Sequence, residues 1–423
     1  MNRKSFDFDP VSLALYIILA VGGWMTVYAV TSVSAGDYTN WLSMPHWRQL
    51  IWLGISLVAG AIVLLLDYRF IEALGYLFYI LAIGLLILTV FIGREINGAK
   101  AWIVLGGQQF QPSEFAKLAT AMALAQYMSR QGFSMNDNRQ LFTAISFVLL
   151  PALIVILQND TGSALVFGSF LIVFYREGLT PLIPLGLLIS VAVVILSLWI
   201  NNGLITGGIM LGIGLISFII FFNRRYWIRI ATIHLVICGM FVALASGTTF
   251  IVSKLQPHQQ IRIKVLLDPT LDPQGAGYNV IQSKIAIGSG GSTGKGFLNG
   301  NYTKYKFVPK QETDFIYCTV GEEYGWIGSS TVLLLFLGLI WRIQYMAESA
   351  KTRYARIYGY SVASILFFHV MVNVGMTIGL VPVIGIPLPF FSYGGSSLLS
   401  FTVLIFVLIN LYSYRVSVLG MKR

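Results

Sequence analysis

Residues Val11–Val33 read VSLALYIILAVGGWMTVYAVTSV, a run of 23 positions without a charged side chain. An α-helix rises about 1.5 Å per residue, so this run is long enough to cross a hydrocarbon core of about 30 Å. It is too long for the core of a signal peptide, and no small-residue cleavage site follows it. We therefore expect a retained membrane span.

The composition extends this conclusion to the whole chain. Hydrophobic residues make up 56% of the 423 residues, charged residues make up 11%, and the mean hydropathy is +0.76. So few polar side chains cannot cover a soluble globule. Backbone groups in lipid must be paired within their own segment, which favours helices over strands. The sequence predicts an all-α polytopic membrane protein with a single membrane domain over residues 1–423.

Apolar blocks of similar length recur along the chain. We predict twelve spans, at 11–33, 49–66, 70–93, 113–129, 140–158, 162–176, 180–200, 204–222, 227–247, 314–341, 357–380 and 397–414. Lysine and arginine gather in alternate connections, and connections of that kind face the cytoplasm. The N-terminus is therefore predicted to lie inside, and Arg48 is the one cation in the short outer connections.

Two outer connections, 94–112 and 248–313, are longer than the others. The second has 66 residues, and its lysines and arginines outnumber its acidic residues. Long loops cross the membrane largely regardless of charge, so this basic surface is compatible with an outer position. A connection of that length is normally functional. We predict a large extracytoplasmic loop that carries the chemistry of the protein.

The segment Gln111-Pro112-Ser113-Glu114-Phe115-Ala116-Lys117 opens the fourth span. Pro112 suits a first helical position, and Ser113 or Glu114 suits the positive end of the helix dipole. Glu114 and Lys117 are three residues apart, so they share one helix face and can pair. The pair either fixes the depth of the helix or lines a pathway, as ionisable residues inside spans often do.

A second polar segment, Gln158-Asn159-Asp160-Thr161-Gly162-Ser163, joins two spans. Asp160 is placed to cap the helix that follows it. Because this turn is predicted to lie on the outer face beside a basic loop, its carboxylate could equally orient a catalytic group.

Within the long loop, Asp268-Pro269 and Asp272-Pro273 form two Asp-Pro steps. The residue before a proline is pushed out of the helical region, so both steps are predicted to be turns. An isolated step of this kind is commonly a turn with a solvated side chain. Neighbouring cations would keep either aspartate ionised, as a general base must be.

The glycine-rich run 288–296 superficially matches a phosphate-binding loop, but Ser289 and Gly296 occupy positions where that motif needs Gly and Ser or Thr. ATP hydrolysis is therefore not supported. Such a backbone beside Lys295 can still hold a phosphate-bearing group. The following residues 301–308 alternate lysines with aromatic residues, which suits a short strand or an interfacial segment.

Two further features lie at membrane depth. Glu322 and Glu323 occur inside a predicted span, where the cost of a carboxylate implies a cavity or a partner. Residues 385–397, GIPLPFFSYGGSS, combine prolines, aromatics and glycines. We expect irregular backbone there, buried in protein or lining a groove.

The order of these motifs along a polytopic chain resembles the SEDS family of bacterial shape, elongation, division and sporulation proteins. The resemblance rests on 111–117, 158–163, 272–283 with the glycine-rich run, Asp314 with Glu322 and Glu323, and 385–397. The sequence GYNVIQSKIAIG at 277–288 resembles the elongation branch, RodA, more closely than the division branch.

This resemblance implies a peptidoglycan glycosyltransferase that polymerises lipid II at the outer face of the bacterial cytoplasmic (inner) membrane. It implies that the essential aspartate is Asp272, on the second Asp-Pro step, with Glu114 and Lys117 under the active-site cavity. The remaining candidates are, for the cavity, Asp160, Gln111 and Ser113; for pyrophosphate binding, Arg262, Lys264, Lys284 and Lys295; and, as lesser candidates, Asp268, Asp314, Glu322 and Arg48.

The resemblance also implies partners: a class B penicillin-binding protein that crosslinks the strands, and the elongation machinery. No nucleic-acid partner is predicted. No ligand cluster in the sequence demands a metal, and a divalent cation, Mg²⁺ or Mn²⁺, would share the stabilisation of pyrophosphate charge.

The number of spans departs from the family. Members typically have ten, and the extra pair here is assigned to a helical insert at 200–247, which leaves the long loop outside. Two other functions stay open: a lipid II flippase with its polar residues along a path, and a non-catalytic scaffold for the penicillin-binding protein.

Overall fold

A computed structural model describes residues 9–32, 44–96, 98–105, 108–200, 203–220, 227–254, 260–261, 265, 268–272 and 275–419. The elements in these ranges are α1 (Pro10–Ser32), α2 (Pro45–Leu65), α3 (Tyr68–Ala73), α4 (Gly75–Ile92), β1 (Arg94–Ile96), β2 (Ala99–Leu105), β3 (Gln108–Phe110), α5 (Pro112–Met128), α6 (Asn138–Leu157), α7 (Thr161–Val166), α8 (Phe170–Arg176), α9 (Leu182–Ile200), α10 (Gly203–Ile220), α11 (Trp227–Lys254), α12 (Ala276–Ser289), α13 (Asn301–Lys304), α14 (Ile316–Glu348), α15 (Arg353–Thr377) and α16 (Gly395–Leu419).

The predicted spans all coincide with helices. In the described part of the chain, eight helices are at least 18 residues long and apolar enough to cross a membrane. The sixth span is α7 and α8, joined by a 3₁₀ turn. The helix α5 carries Glu114 and Lys117 and begins at Pro112, as its sequence predicts. The all-α polytopic prediction is confirmed.

The chain divides into two compact units. The first contains Met1–Leu179 and Asn279–Arg423, and the second contains Thr180–Tyr278. In the second unit, α10 and α9 each pack against α11. The segment 200–247, which the sequence analysis marks as an insert within a single domain of 1–423, lies inside this second unit. That it is an insert relative to the family stays a prediction.

The outer segment after α4 contains strands that the sequence analysis did not predict. β1, β2 and β3 form an antiparallel sheet in the order β1-β2-β3. Asn97-Gly98 and Gly106-Gly107 separate the three strands in the sequence, and such pairs are the strongest short-range hairpin signal. Reading those two pairs as hairpin turns would have found the sheet.

In the first unit, ion pairs gather at the end of the helices that the charge pattern assigns to the cytoplasm. Asp9 precedes α1 and binds Arg342 near the end of α14. Glu177, just after α8, binds both Arg353 and Arg356 in the first turn of α15. The start of α1 and the end of α14 therefore lie at the same end of this unit, as alternating spans require.

The helix α14 is broken at Gly325, whose φ of 64° and ψ of −160° are not helical. A break inside a span leaves amides and carbonyls without their helical partners, at a cost of several kcal/mol each in lipid (order of magnitude). The glycine-rich run supplies the missing partners. Lys295 N and Gly296 N donate to the carbonyls of Glu322 and Glu323 at 3.0 and 2.9 Å.

The same run also accepts hydrogen bonds from α14. Trp326 N donates to Gly291 O at 2.9 Å, and Ile327 N donates to Ser292 O at 3.1 Å. The backbones approach so closely that a Cβ added at Gly290 would lie 2.0 Å from the Gly321 carbonyl oxygen. The glycines are therefore needed for packing, and the amides of Lys295 and Gly296 are already occupied by α14.

The Glu322 carboxylate ties the same loop to α14. It is fully buried, and Oε1 accepts from Lys295 Nζ and Tyr302 N, both at 2.9 Å. Its Oε2 accepts from the backbone N and the hydroxyl of Thr303, both at 2.8 Å. Gln311 extends this network by donating to the hydroxyl of Thr303 at 3.0 Å. The partner expected for this carboxylate is thus the loop itself.

We predict that Glu322→Ala lowers the free energy of unfolding by about 3 kcal/mol, because it leaves Lys295 and two loop amides without their buried acceptor. Hydrogen exchange of the purified protein should show faster exchange at Tyr302 and Thr303. The matched control is Glu312→Ala, since the half-buried Glu312 carboxylate bonds to no residue that the structure describes. Unchanged exchange in Glu322→Ala would show that this carboxylate does not hold the loop.

Candidate functional site

Asp272 follows a single 3₁₀ turn, Pro269–Leu271, and precedes α12 along the chain. Its backbone carbonyl accepts from Tyr278 N at 3.0 Å, in the first turn of α12. Its side chain is half-buried. This carbonyl contact fixes the backbone of Asp272 against the start of α12.

Two glycines make room around Asp272. A Cβ at Gly275 would lie 2.4 Å from Oδ2 of Asp272, so the carboxylate occupies the space that a side chain would fill. A Cβ at Gly277 would lie 2.0 Å from the Pro269 carbonyl oxygen and 2.6 Å from that of Asp272. A side chain at Gly275 would therefore displace the Asp272 carboxylate, and a side chain at Gly277 would move the turn that carries Asp272.

Asp268 has a different role. Its Oδ1 accepts from the backbone N and the hydroxyl of Thr270, at 3.0 and 2.6 Å, and so caps the 3₁₀ turn. These bonds from the Thr270 hydroxyl and amide lower the pKa of the exposed Asp268 carboxyl below its ordinary value. Of the two Asp-Pro aspartates, Asp268 thus performs the turn-forming role.

In the first unit, Glu114 and Lys117 form the predicted pair. Lys117 Nζ lies 2.8 Å from Glu114 Oε2, and both side chains are 1% exposed. Lys117 Nζ also lies 2.9 Å from Nε2 of His369 on α15 and 5.4 Å from the centre of the Phe401 ring. The ammonium therefore meets a carboxylate, an imidazole and an aromatic face.

The tautomer of His369 follows from its two contacts. Its Nδ1 lies 3.0 Å from the Pro387 carbonyl oxygen, which can only accept, so Nδ1 carries the proton. Nε2 is then the acceptor for the Lys117 ammonium. Three partners surround this ammonium in the described structure, so the arrangement holds α5, α15 and the 385–397 segment together through one buried charge.

No pattern in the sequence marked His369 as a site residue. A histidine alone on an apolar helix has no ligand-like spacing, and a buried histidine is commonly a satisfied core residue. The signal that could have found it is its position inside a span, where ionisable residues tend to pair with one another.

A second polar group of the first unit joins the start of α5 to the start of α7. Gln111 Nε2 donates to Oδ2 of Asp160 at 2.8 Å, while Oδ1 of Asp160 accepts from Ser163 N at 3.0 Å. The Ser163 hydroxyl lies 3.3 Å from that of Ser113. The capping role expected of Asp160 is confirmed, and two other predicted cavity residues, Gln111 and Ser113, lie in the same group.

Asp314 lies against the 385–397 segment. A Cβ at Gly385 would lie 3.3 Å from Oδ2 of Asp314. Asn373 on α15 donates to the carbonyls of Asp314 and Ile386, at 2.9 and 2.8 Å. The segment is irregular as far as Gly394, and Phe390 and Phe391 are buried, as the sequence predicts. The prediction is wrong for residues 395–397, which form the first turn of α16.

The four candidates for pyrophosphate binding differ in their positions and contacts. Arg262 and Lys264 lie outside the described residues. Lys284 is exposed on α12, whereas Lys295 is bound to Glu322. Its amide also donates to the Glu322 carbonyl, which gives the glycine-rich run a structural role in place of an open phosphate cradle. Arg48 is half-buried in the first turn of α2.

The described residues contain no group of three or more His, Cys, Asp or Glu side chains placed to hold a metal ion. The participation of Mg²⁺ or Mn²⁺ stays a prediction.

Comparison with known proteins gives consistent matches over the whole chain. The profile of the FtsW, RodA and SpoVE family of cell cycle proteins matches residues 11–203 and 181–416. The peptidoglycan glycosyltransferase RodA of Treponema pallidum is 32% identical, over 94% of this chain and 95% of the relative. The peptidoglycan glycosyltransferase MrdB of Escherichia coli K12 is 31% identical, over 98% of this chain and 97% of the relative.

Solved structures agree with these matches. A chain from a peptidoglycan synthase complex that coordinates polymerization and crosslinking has 28% identity and a TM-score of 0.70, over 97% of this chain and 98% of that chain. The rod shape determining protein RodA of Thermus thermophilus has 23% identity and a TM-score of 0.62 over the same shares, which shows the fold alone. The chain therefore belongs to the FtsW, RodA and SpoVE family, which is the SEDS family that its motifs indicate, and it is RodA-like.

Proposed function

We propose that this protein is a peptidoglycan glycosyltransferase that polymerises lipid II into glycan strands at the outer face of the cytoplasmic membrane during cell elongation. Similarity to RodA and MrdB over nearly the whole length of each chain supports this activity. The observation that carries the mechanism is the carboxylate of Asp272, held on a turn that two glycines leave open.

The reaction joins two lipid-linked sugars. The donor is activated at C1 by a pyrophosphate leaving group, and the C4 hydroxyl of the acceptor attacks that carbon. Asp272 acts as the general base that removes the hydroxyl proton as the new glycosidic bond forms and the bond to pyrophosphate breaks. Direct displacement inverts the configuration at C1. A carboxylate suits this role because its oxygen can accept the proton of a hydroxyl through one hydrogen bond.

The leaving pyrophosphate gains negative charge, which cations must stabilise. We assign this role to basic residues of the long loop among Arg262, Lys264, Lys284 and Lys295. Lys284 is the best supported of the two that the structure describes, because its ammonium is exposed while that of Lys295 is bound to Glu322. A divalent cation, Mg²⁺ or Mn²⁺, would supply further charge at the same oxygens.

Orientation and partnership complete the proposal. The basic, ion-paired ends of the first unit face the cytoplasm, by the rule that cytoplasmic connections carry the cations. The long loop and Asp272 then face the periplasm or the cell exterior. The related chain in the peptidoglycan synthase complex supports a class B penicillin-binding protein as the crosslinking partner, within the elongation machinery.

One assay separates this proposal from a lipid II flippase and from a non-catalytic scaffold. The purified protein is incubated with fluorescent lipid II, with and without the penicillin-binding protein. Glycan polymer is expected from the polymerase, translocation without polymer from a flippase, and neither from a scaffold. The ammonium of Lys117 already has three partners, which disfavours a path in which it carries substrate charge across the membrane.

We predict that Asp272→Asn lowers the initial rate of lipid II polymerisation by about 100-fold or more, because an amide keeps the shape of the side chain but cannot accept the proton. Asp268→Asn is the matched control. Asparagine caps a turn as well as aspartate does, so this variant should keep a rate close to that of the wild type. A wild-type rate for a folded, partner-bound Asp272→Asn protein would remove Asp272 from the mechanism.

We also predict that Gly277→Ala lowers the polymerisation rate by about 100-fold, since the added methyl group displaces the Pro269 and Asp272 backbone and shifts the base by a fraction of an ångström or more. Gly288→Ala is the control in the same helix, because a Cβ there meets nothing within 4 Å. Equal rates for the two variants would contradict the importance of the Asp272 turn.

A further inference from the structure

The segment between the glycine-rich run and α14 exposes aromatic and basic side chains. We call this surface the basic-aromatic patch and define it by its members, which are Phe297, Leu298, Lys304, Tyr305, Lys306, Phe307 and Lys310. Of the two structures expected for 301–308, a strand is wrong, because α13 and a turn at 305–306 occupy most of these residues. An interfacial segment is the alternative that we develop.

Hydrogen bonds to α14 and within the loop hold the backbone of the patch. Glu322 accepts from the amides of Tyr302 and Thr303, one residue before Lys304. Lys304 N donates to Gly300 O at 2.8 Å, and Phe307 N donates to Tyr302 O at 3.1 Å. The outward direction of the side chains is therefore a property of the fold.

Three apolar members of the patch are exposed in the part of the chain that the structure describes. Tyr305 is 65% exposed, Phe307 is 45% exposed and Leu298 is 40% exposed. Aromatic residues exposed together in this way usually mark a binding surface. Tyrosine with neighbouring lysines is typical of the boundary between lipid tails and headgroups, where the ring is half-immersed and the lysine stem extends toward the phosphates.

The depth of the patch follows from α1. Phe297 stacks on Tyr28, with ring centres 6.4 Å apart and an angle of 25° between the planes. Tyr28 lies four residues before the end of α1, or about 6 Å along the helix axis. Since the 23 residues of α1 are slightly longer than a hydrocarbon core of about 30 Å, Tyr28 lies close to the edge of that core.

The charge of the patch identifies what it meets there. Lys304, Lys306 and Lys310 are all exposed, and none of them forms an ion pair with a residue that the structure describes. The carboxylate nearest in the fold to α13, that of Glu322, is buried and bound to Lys295. Three unpaired cations at headgroup level are attracted to a negative partner that is abundant in that plane.

We propose that the basic-aromatic patch binds anionic phospholipid headgroups in the leaflet at the C-terminal end of α1, with the rings of Tyr305 and Phe307 inserted at the edge of the acyl chains. Each lysine near an anionic membrane surface contributes roughly a fivefold factor in affinity. The patch thereby holds the second half of the long loop at a fixed height on the membrane. This inference does not depend on the proposed glycosyltransferase activity.

The test is a titration of the purified full-length chain with phosphatidylglycerol and, separately, with phosphatidylcholine, read by native mass spectrometry as the number and affinity of bound lipids. The triple variant Lys304→Gln, Lys306→Gln, Lys310→Gln should lose about 100-fold in affinity for its tightest phosphatidylglycerol, which is three fivefold factors, and change little for phosphatidylcholine. Tyr305→Ala with Phe307→Ala keeps the charge and should weaken binding of both lipids.

The matched control removes the same number of charges elsewhere, with Arg94→Gln, Arg139→Gln and Lys351→Gln, which are exposed and outside the patch. If the two triple variants lose equal affinity for phosphatidylglycerol, the affinity depends on net charge alone and the proposal is overturned. The proposal would also be overturned if the lysine variant kept its affinity for phosphatidylglycerol but bound lipid II or the penicillin-binding protein more weakly. The patch would then bind the substrate or a protein partner.

Discussion

A backbone inside a membrane must find all its hydrogen-bond partners in the protein. At Gly325 the helix α14 is broken, and its unpaired backbone groups find their partners in another segment of the chain. The carbonyls of the glycine-rich run accept hydrogen bonds from the amides that the helix leaves unpaired. The Glu322 carboxylate accepts hydrogen bonds from Lys295 and Thr303, and so holds the loop residues that follow the run. The second half of the long loop is therefore packed firmly against α14. Its rigidity fixes the direction of the aromatic and basic side chains that surround α13.

The buried charges obey the same constraint. A lysine at 1% exposure is tolerable only when its protons have acceptors, and Lys117 has Glu114 and His369. Because His369 also donates to Pro387 and Asn373 donates to Ile386, α15 orders an irregular segment whose carbonyls would otherwise be unpaired. Glu114, Lys117, His369 and the Pro387 carbonyl form one connected network, and the ordinary apolar packing of the helices surrounds it.

Much of the fold could be predicted because membrane spans leave a strong signal in hydropathy and charge. Local patterns predict the spans, the helix start at Pro112, the cap at Asp160, the Glu114–Lys117 pair and the irregular backbone that begins at Gly385 and ends at Gly394. The sheet after α4 was missed because its strands are short, although Asn97-Gly98 marked a turn. His369 and the contact between the glycine-rich run and α14 depend on residues far apart in sequence, which no local pattern reports. The role of Asp272 rests on resemblance, and its geometry adds a reason for the two glycines beside it.

The pairing of the glycine-rich run with α14 also bears on how the chain is assembled. The run at 290–296 and its partners at 321–327 are about thirty residues apart, so their association closes a short loop and is favoured early in folding. The run emerges from the ribosome before α14 does. The hydrogen-bond partners for its broken turn are therefore already synthesised when the helix forms, and the two elements are expected to insert and fold as one step of biogenesis.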